Sequence, residues 1–344
     1  LKVFGHNYDK VISLEALLQA WDEFKKGKRD KPDVGYFELH LEDNLFKLHR
    51  ELRNKTYRHS PYTGFYIHDP KVRHIHKATV RDRVIHHALF SALNPLFEPT
   101  FIPESYSCRK GYGTHKGFKK LVHCCRKISR NYTVGCWALK CDVRKFFDSV
   151  DHEILLKLVK ARIKDPDTLW LVKKIVESYE TTKGKGIPIG NLTSQLFANI
   201  YLNSLDQFVK HHLKVKYYVR YADDFIILDE DFRFLLGALG KIGEFVGKEL
   251  KLELHQDKIS LRRLTWGVDF VGYVALPYYQ IVRTKTKRRI YRKVRENIDI
   301  YRRGKSDVTS INQSVQSYLG ILKHADTHKL ELDLKNQILF WLGS

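Results

Sequence analysis

Two adjacent aspartates, Asp223 and Asp224, interrupt the apolar stretch VRYADDFIIL at 219–228. Two carboxylates about 4 Å apart at an effective dielectric near 20 repel by roughly 4 kcal/mol, so a hairpin that fixes both at its tip needs positive charge there. Asp142 ends another apolar run, ALKCDVRKFF at 138–147, and would add a third carboxylate if its strand lay beside that hairpin. Hard oxygen donors of this kind hold Mg²⁺, which keeps several waters and takes its remaining ligands from substrate phosphates. Two such ions about 3.5–4 Å apart clamp the attacking and leaving oxygens of an in-line phosphoryl displacement. Chance puts an aromatic-x-Asp-Asp pattern in roughly one chain in ten, so the competing reading of this stretch is an exposed turn with an accidental pair.

The elements that would position these residues are legible in outline. The run 13–24 places Leu14, Leu17, Leu18, Trp21 and Phe24 on one helical face, with Ser13 as N-cap. A basic loop at 25–33 precedes a second amphipathic helix over 42–57. Residues 64–76 alternate like a hairpin broken at Asp69-Pro70, and a helix is expected over 80–94. A Gly-rich basic loop at 104–117 leads into another helix. The stretch 136–150 reads as a buried strand entering a helix at 151–163, and 185–209 as a loop that becomes an apolar helix. A hairpin at 217–229, a helix at 231–250, strands at 252–261 and 267–275, and a basic helical remainder complete the chain. Strands not uniformly followed by crossovers predict an α+β fold.

Composition sets the class of partner. The chain has 344 residues, 43% of them hydrophobic, and a net charge of +22 from 61 Lys+Arg against 39 Asp+Glu. Such an excess calls for a polyanion, either nucleic acid or an acidic membrane surface. No apolar run approaches the roughly 18–20 residues needed to span a bilayer, and the opening residues carry no signal-peptide pattern. A cytoplasmic nucleic-acid binder is the expectation. The five cysteines form no C-x-x-C pair, which argues against a disulfide framework or a zinc site, and the 17 histidines show no metal-ligand layout.

The order of the motifs carries a resemblance. YADD at 221–224 resembles the metal-binding turn of reverse transcriptases. The other blocks of that family follow in sequence: VRHIHKATVRDRVIHHAL (72–89) and SYSCRKGYGTHKG (105–117) resemble the first and second, and LKCDVRKFFDSVDHEIL (139–155) the third. GIPIGNLTSQLFANIYL (186–202), LELHQDKISL (252–261) and FVGY (270–273) match the fourth, sixth and seventh. The fourth block is the most specific. Relatives connected with group II introns read P-Q-G-x-x-x-S-P there, whereas this chain has Pro188-Ile189-Gly190 and Ser194-Gln195. An I/L/V-G-x-x-x-S-Q signature is similar to that of reverse transcriptases from diversity-generating retroelements, and HADTH at 324–328 also looks like that subfamily.

The resemblance implies a right-hand polymerase: an extension of the fingers over 1–60, and fingers over 61–187 with an interleaved palm strand and helix at about 118–151. A palm with an antiparallel sheet over 188–276 and a helical thumb over 277–344 follow. It implies Asp142, Asp223 and Asp224, with the Val143 carbonyl, as ligands of two Mg²⁺ ions, for which Mn²⁺ can substitute. Asp148 and Asp151 read instead as helix-start charges. Arg73, assisted by Lys71, would hold the incoming triphosphate, guanidinium forks being suited to phosphate oxygens. Phe147 would be the ring that excludes a ribose 2′-OH, and Lys258 the acid that protonates pyrophosphate. Ile189 and Gly190 would border the nucleotide, and Gln195, Gly272 and Tyr273 the template and primer. Ile189 replaces a glutamine that hydrogen-bonds near the sugar in related polymerases, so positioning would rest on packing and pairing would be enforced less strictly. His76-Lys77 stands where many relatives have Ile-Pro, which puts the fingers geometry in question.

The implied partners are dNTPs, a template-repeat RNA and its RNA/cDNA duplex, and a small basic accessory protein forming a pentameric helical bundle. The densely basic segment 283–305 would track the duplex backbone, a membrane-surface helix being its competitor. The implied setting is a prokaryotic or phage-encoded cytoplasmic enzyme. No RNase H, endonuclease or maturase segment is recognisable, so template removal and target nicking are expected from elsewhere. The alternatives are another prokaryotic reverse transcriptase (retron, phage-defence or group II-like) and a catalytically silent RNA-binding scaffold.

Overall fold

The computed structural model describes residues 8–69 and 71–343; Pro70, the expected hairpin break, and residues 1–7 of the N-terminal extension lie outside the described residues. The chain opens with four helices, α1 (Tyr8–Ile12), α2 (Leu14–Lys25), α3 (Pro32–Leu39) and α4 (Leu41–Arg53). Ser13 caps α2 as expected, its side chain accepting from the Ala16 N–H at 3.1 Å. Leu17, Trp21 and Phe24 are buried, but Leu18 faces out and Ala20 takes the inner position. The basic loop is shorter than predicted because Pro32, with φ pre-set for the first helical position, starts α3. Helix α4 ends at Arg53 rather than 57, since Lys55 turns left-handed at φ 59°.

The hairpin β1 (Thr63–Ile67) and β2 (Arg73–Lys77) pairs Tyr66 with His74. Helix α5 (Val80–Phe97) follows, capped by Thr79. Its buried polar groups are all partnered: Asp82 accepts from the Tyr57 hydroxyl at 2.8 Å and the Ser60 N–H at 3.1 Å, while His86 lies 3.1 Å from His59 and 2.5 Å from the Thr193 hydroxyl.

After α6 (Thr114–Ile128) comes β3 (Trp137–Asp142), which stops at the carboxylate; Lys145, at φ 44° and ψ 44°, breaks the strand and starts the short α7 (Phe146–Ser149). Helices α8 (His152–Lys160), α9 (Pro166–Val176) and α10 (Leu192–Gln207) lead to the strands β4 (Tyr217–Tyr221) and β5 (Asp224–Asp229) and to α11 (Phe232–Leu250). The strand expected over 252–261 is reduced to β6 (Ser260–Arg263). Leu252 and Leu254 are buried in alternation, but the backbone around them bonds to the segment after β3, with Arg144 N–H donating to Glu253 and His255 N–H to Asp142.

One antiparallel sheet has the order β4-β5-β3-β6. Its two faces are both buried: Leu139, Cys141, Phe225 and Ile227 join the core under the N-terminal helices and α8–α11, and Ala138, Val219, Ile226 and Leu228 join a second core with α6 and the C-terminal region. Burial on both faces explains the unbroken apolar run FIIL in β5. A second sheet is a meander of β7 (Val268–Phe270), β8 (Tyr273–Ala275) and β9 (Gln280–Val282), the last lying in a stretch read from sequence as helical. Helices α12 (Thr284–Arg302), α13 (Val308–Leu322) and α14 (His328–Gly343) pack on it. Among the described residues no helix is long and apolar enough to cross a membrane.

Candidate active site

The turn between β4 and β5 consists of Ala222 and Asp223, and Ala222 carries a positive φ of 54° that normally favours glycine. A fully buried ion pair holds it there. Arg220 donates to Asp206 through Nε at 2.7 Å and Nη2 at 2.6 Å, to the Ala222 carbonyl at 2.9 Å and to Ser105 Oγ at 2.8 Å. The Tyr218 hydroxyl donates to Asp206 as well, at 2.8 Å. A bidentate, fully hydrogen-bonded guanidinium of this kind offsets its own desolvation.

Register delivers the third carboxylate. In the β3–β5 ladder Asp142 stands directly opposite Asp224, and the Val143 N–H donates to the Asp223 carbonyl at 3.1 Å. Burial pushes the Asp223 carboxyl above its ordinary range, with Asp142 adding to the shift. Burial likewise pushes Asp224 up to about 7, against the pull of Lys140 and with help from Asp142 and Asp223. Asp224 Oδ1 is buried without a hydrogen-bond partner. Among the described residues no three His, Cys, Asp or Glu side chains form a ready-made metal cluster. Instead each flanking carboxylate meets a lysine: Lys258 Nζ lies 2.5 Å from Asp142 Oδ1, and Lys140 Nζ 3.3 Å from Asp224 Oδ2. Hard oxygen donors, two of them with carboxyls pushed up chiefly by burial and one with an orphaned oxygen, fit a divalent cation.

A cleft of about 880 Å³ lies alongside, lined by Arg73, Arg144, Lys145, Lys185 and Lys251 together with Ile189. Arg73 is close enough to Asp223 for its charge to lower that carboxyl's pKa. Lys71 is exposed near the hairpin tip and is not among the described residues lining the cleft. Ile189 uses its carbonyl to accept from the His76 N–H at 3.0 Å, clipping β2 to the loop before α10. Gly190 is required twice over: its φ is 113°, and a Cβ would come 2.8 Å from Ile75 Cγ2. Phe146 is buried and Phe147 half-buried, and the Phe147 carbonyl accepts from Ile187, two residues before Ile189. Asp151 caps α8 through Ile154 and pairs with Lys251, in agreement with its reading as a helix-start charge. Gln195 is exposed on the first turn of α10, next to buried Ser194.

Gly272, at φ 94°, makes the turn between β7 and β8 and accepts from the Arg283 N–H at 3.0 Å. Tyr273 departs from expectation. Its side chain is 2% exposed, packs on Phe118 and donates to the Ile321 carbonyl at 3.0 Å, so it anchors the C-terminal helices and does not reach a bound strand. Sequence reading missed Arg220 with Asp206, and Lys140. An arginine inside the buried strand YYVRY demands a partner, and Lys140 shares the Asp142 face of β3 by its i, i+2 spacing.

Three carboxylates at the end of an antiparallel sheet, beside a cleft lined by Arg73, Arg144 and three lysines, form the arrangement that a two-metal phosphoryl transfer would need. The chain belongs to the family described as reverse transcriptase (RNA-dependent DNA polymerase), whose family model matches residues 67–275. It is 27% identical to protein YkfC of Escherichia coli (strain K12) over 271 residues, covering 66% of this chain and 69% of that protein. It is 26% identical over 307 residues to the group II intron-encoded protein LtrA of Lactococcus lactis subsp. cremoris, covering 67% of this chain and 49% of LtrA. A putative COX1/OXI3 intron 2 protein of Saccharomyces cerevisiae is 22% identical over 338 residues, covering 77% of this chain and 38% of that protein. The chain thus spans about half of LtrA and less of the yeast protein.

Proposed function

We propose that this protein copies RNA into DNA for a diversity-generating retroelement, taking a template-repeat RNA as template and making errors directed at its adenines. The observation that carries the polymerase reading is the register that sets Asp142 against Asp224 at the tip of the YADD turn, beside the cleft with Arg73. The retroelement reading rests on Ile189-Gly190, of which Ile189 lines that cleft, and on Ser194-Gln195 in the first turn of the helix that follows.

Asp142, Asp223 and Asp224 would hold two Mg²⁺ ions, or Mn²⁺ in their place, with the Val143 carbonyl as a backbone ligand. Bound there, the ions supply Lewis-acid stabilisation of the charge that develops on the phosphoryl oxygens. The bond formed joins the primer 3′-oxygen to the α-phosphorus, and the bond broken joins that phosphorus to the departing pyrophosphate. Arg73 holds the triphosphate by a charge-assisted fork, and Lys71, outside the cleft, adds only positive charge near the hairpin tip. Lys258, whose ammonium lies 2.5 Å from Asp142 Oδ1, would serve as proton donor to the leaving pyrophosphate. Phe147, held from its backbone by Ile187, blocks a 2′-OH, and Ile189 meets the nucleotide by packing alone. In this reading the four-stranded sheet is the palm, the β1–β2 hairpin belongs to the fingers, and α12–α14 form the thumb, whose cations follow the duplex backbone. A small basic accessory protein completes the particle.

The test is cDNA synthesis by the purified protein on a primed RNA with Mg²⁺ and dNTPs, followed by sequencing of the products. Errors concentrated opposite template adenines support the whole reading. Accurate product keeps the polymerase and favours a group II-like enzyme, the reading that the similarity to LtrA supports. An absence of product even with accessory protein and cognate RNA added would leave a silent scaffold. For the finer assignment, Ile189→Gln lowers adenine-specific error several-fold by restoring a hydrogen bond near the sugar; an unchanged error spectrum sinks the role given to Ile189.

A further inference from the structure

Four charges of alternating sign run from the carboxylate turn to the root of the C-terminal helices. Asp224 Oδ2 lies 3.3 Å from Lys140 Nζ. That ammonium donates to the Asp269 carbonyl at 2.9 Å and stands 3.8 Å from Asp269 Oδ1. The other carboxylate oxygen of Asp269 is 2.7 Å from Arg283 Nε. Arg283 immediately precedes α12, and its N–H donates to the Gly272 carbonyl, so it is fixed from both backbone and side chain. The chain therefore crosses four elements: β5, β3, β7 of the second sheet, and the start of α12.

Lys140, Asp224 and Asp269 are each between 21% and 25% exposed at the side chain, well inside the range where charges feel one another. Asp224 Oδ1 and Asp269 Oδ1 are both buried without hydrogen-bond partners. Lys140 is thus the shared cation between two half-satisfied carboxylates on different sheets. Methionine at this position would keep the bulk and lose the bridge, while arginine would keep the charge and reach.

We infer that Lys140 is a positioning residue, which fixes the Asp224 carboxylate and ties it through Asp269 and Arg283 to the root of the thumb. This rests on the polymerase reading above, in which Asp224 touches the reacting phosphate through its cation. The ammonium takes Oδ2 and leaves Oδ1 buried without a partner, so the carboxylate keeps one orientation. The far end of the chain makes that orientation depend on where α12 sits. A thumb seated on a primer–template duplex and a well-placed carboxylate then favour each other, which is a coupling between two sites through named contacts.

The test uses the full chain with Lys140→Met, Lys140→Arg, Arg283→Gln and the double variant K140M/R283Q. Lys140→Met lowers kcat for single-nucleotide addition about ten-fold or more while KM for dNTP moves by less than about three-fold, the pattern of a lost positioning contact. Lys140→Arg recovers most of that rate, which a merely space-filling role would not allow. Arg283→Gln shortens the products, and K140M/R283Q is no slower than K140M alone, because both cut the same chain. A second readout needs no catalysis: amide exchange over residues 288–294 of α12 rises several-fold in K140M and R283Q and stays at the wild-type level in K140R. A K140M rate within about two-fold of wild type, multiplicative losses in the double variant, or unmoved exchange in α12 would each overturn the inference. If Lys140→Met does not fold, K140R against R283Q carries the same comparison. A wild-type protein that makes no DNA while α12 responds as stated would count against the polymerase reading and not against the tie.

Discussion

Asp223 and Asp224 stand on a turn whose flanking strands are buried on both sheet faces, whereas Arg73, across the cleft, stands on a two-stranded hairpin without a single buried residue. The first arrangement locks carboxylates against the full stiffness of two cores and a buried ion pair. The second leaves an arginine on a ribbon that is marginal by itself, tied to the body through the Ile189 carbonyl and its neighbours. Chemistry explains the contrast. Under the roles proposed above, groups that orient a reacting phosphate would have to hold their geometry within fractions of an ångström, while a group that captures a nucleotide would have to let it enter and then close on it.

The largest effect should come from the rigid side. Asp223→Asn removes one charge from the turn without changing its shape, and primer extension should fall by about three orders of magnitude or more while RNA affinity stays within about two-fold. Undiminished synthesis would overturn the placement of the cation. Arg220→Met tests the support beneath: it leaves Asp206 buried and unpaired, and urea denaturation should show a loss of about 3–5 kcal/mol. Adding Asp206→Leu should recover more than half of that loss. Tyr66→Ala on the hairpin, where the ring is 60% exposed, should change stability by no more than about 0.5 kcal/mol. Similar losses at both places would erase the contrast.

On the hairpin side of the comparison the expected effects are kinetic and smaller. Arg73→Ala should raise KM for dNTP about ten-fold with a lesser change in kcat, the signature of lost substrate capture. Steady-state titration of a single dNTP on a primed template measures both constants. A drop in kcat alone would mean that the hairpin arginine acts on the chemical step and that its side of the cleft is as rigid as the turn.

The two regions also differed in how far sequence could describe them. The carboxylate strand, the YADD hairpin and the capped helix at Ser13 were legible because each is a local pattern: an apolar run ending in a charge, a two-residue turn, a hydroxyl before a periodic stretch. Tyr273 was misplaced because a motif fixes where the backbone turns at Gly272 but says nothing of which way the next ring points; here it points into the core beside Phe118. Strand β9 was hidden for a related reason, since three residues are too short to show a period and gain their partners only from β8. Lys140 and Arg220 were charges inside apolar strands, visible as anomalies, yet their partners Asp269 and Asp206 lie far along the chain or on another element. Non-local pairing of this sort is what tertiary structure adds.

The last predicted effect separates the two regions by the sign of their proton linkage. His86 of α5, buried between His59 and Thr193, has its pKa pushed down from 6.5 to about 3, chiefly by burial. The unfolded chain takes up that proton near pH 6.5 and the folded chain refuses it, so stability present above pH 6.5 is lost as pH falls toward about 3. Asp224 works the other way. Its folded carboxyl keeps a proton up to about 7 and the unfolded one releases it near 3.8, so acid favours the native state across that window. Between pH 6.5 and 5 the two slopes oppose, each worth at most about 1.4 kcal/mol per pH unit. His86→Asn should therefore flatten the acid-side loss of stability, and Asp224→Asn should steepen it, in urea melts of both variants against wild type. Shifts of the same sign would show that His86 and Asp224 do not sit in the opposed environments described above.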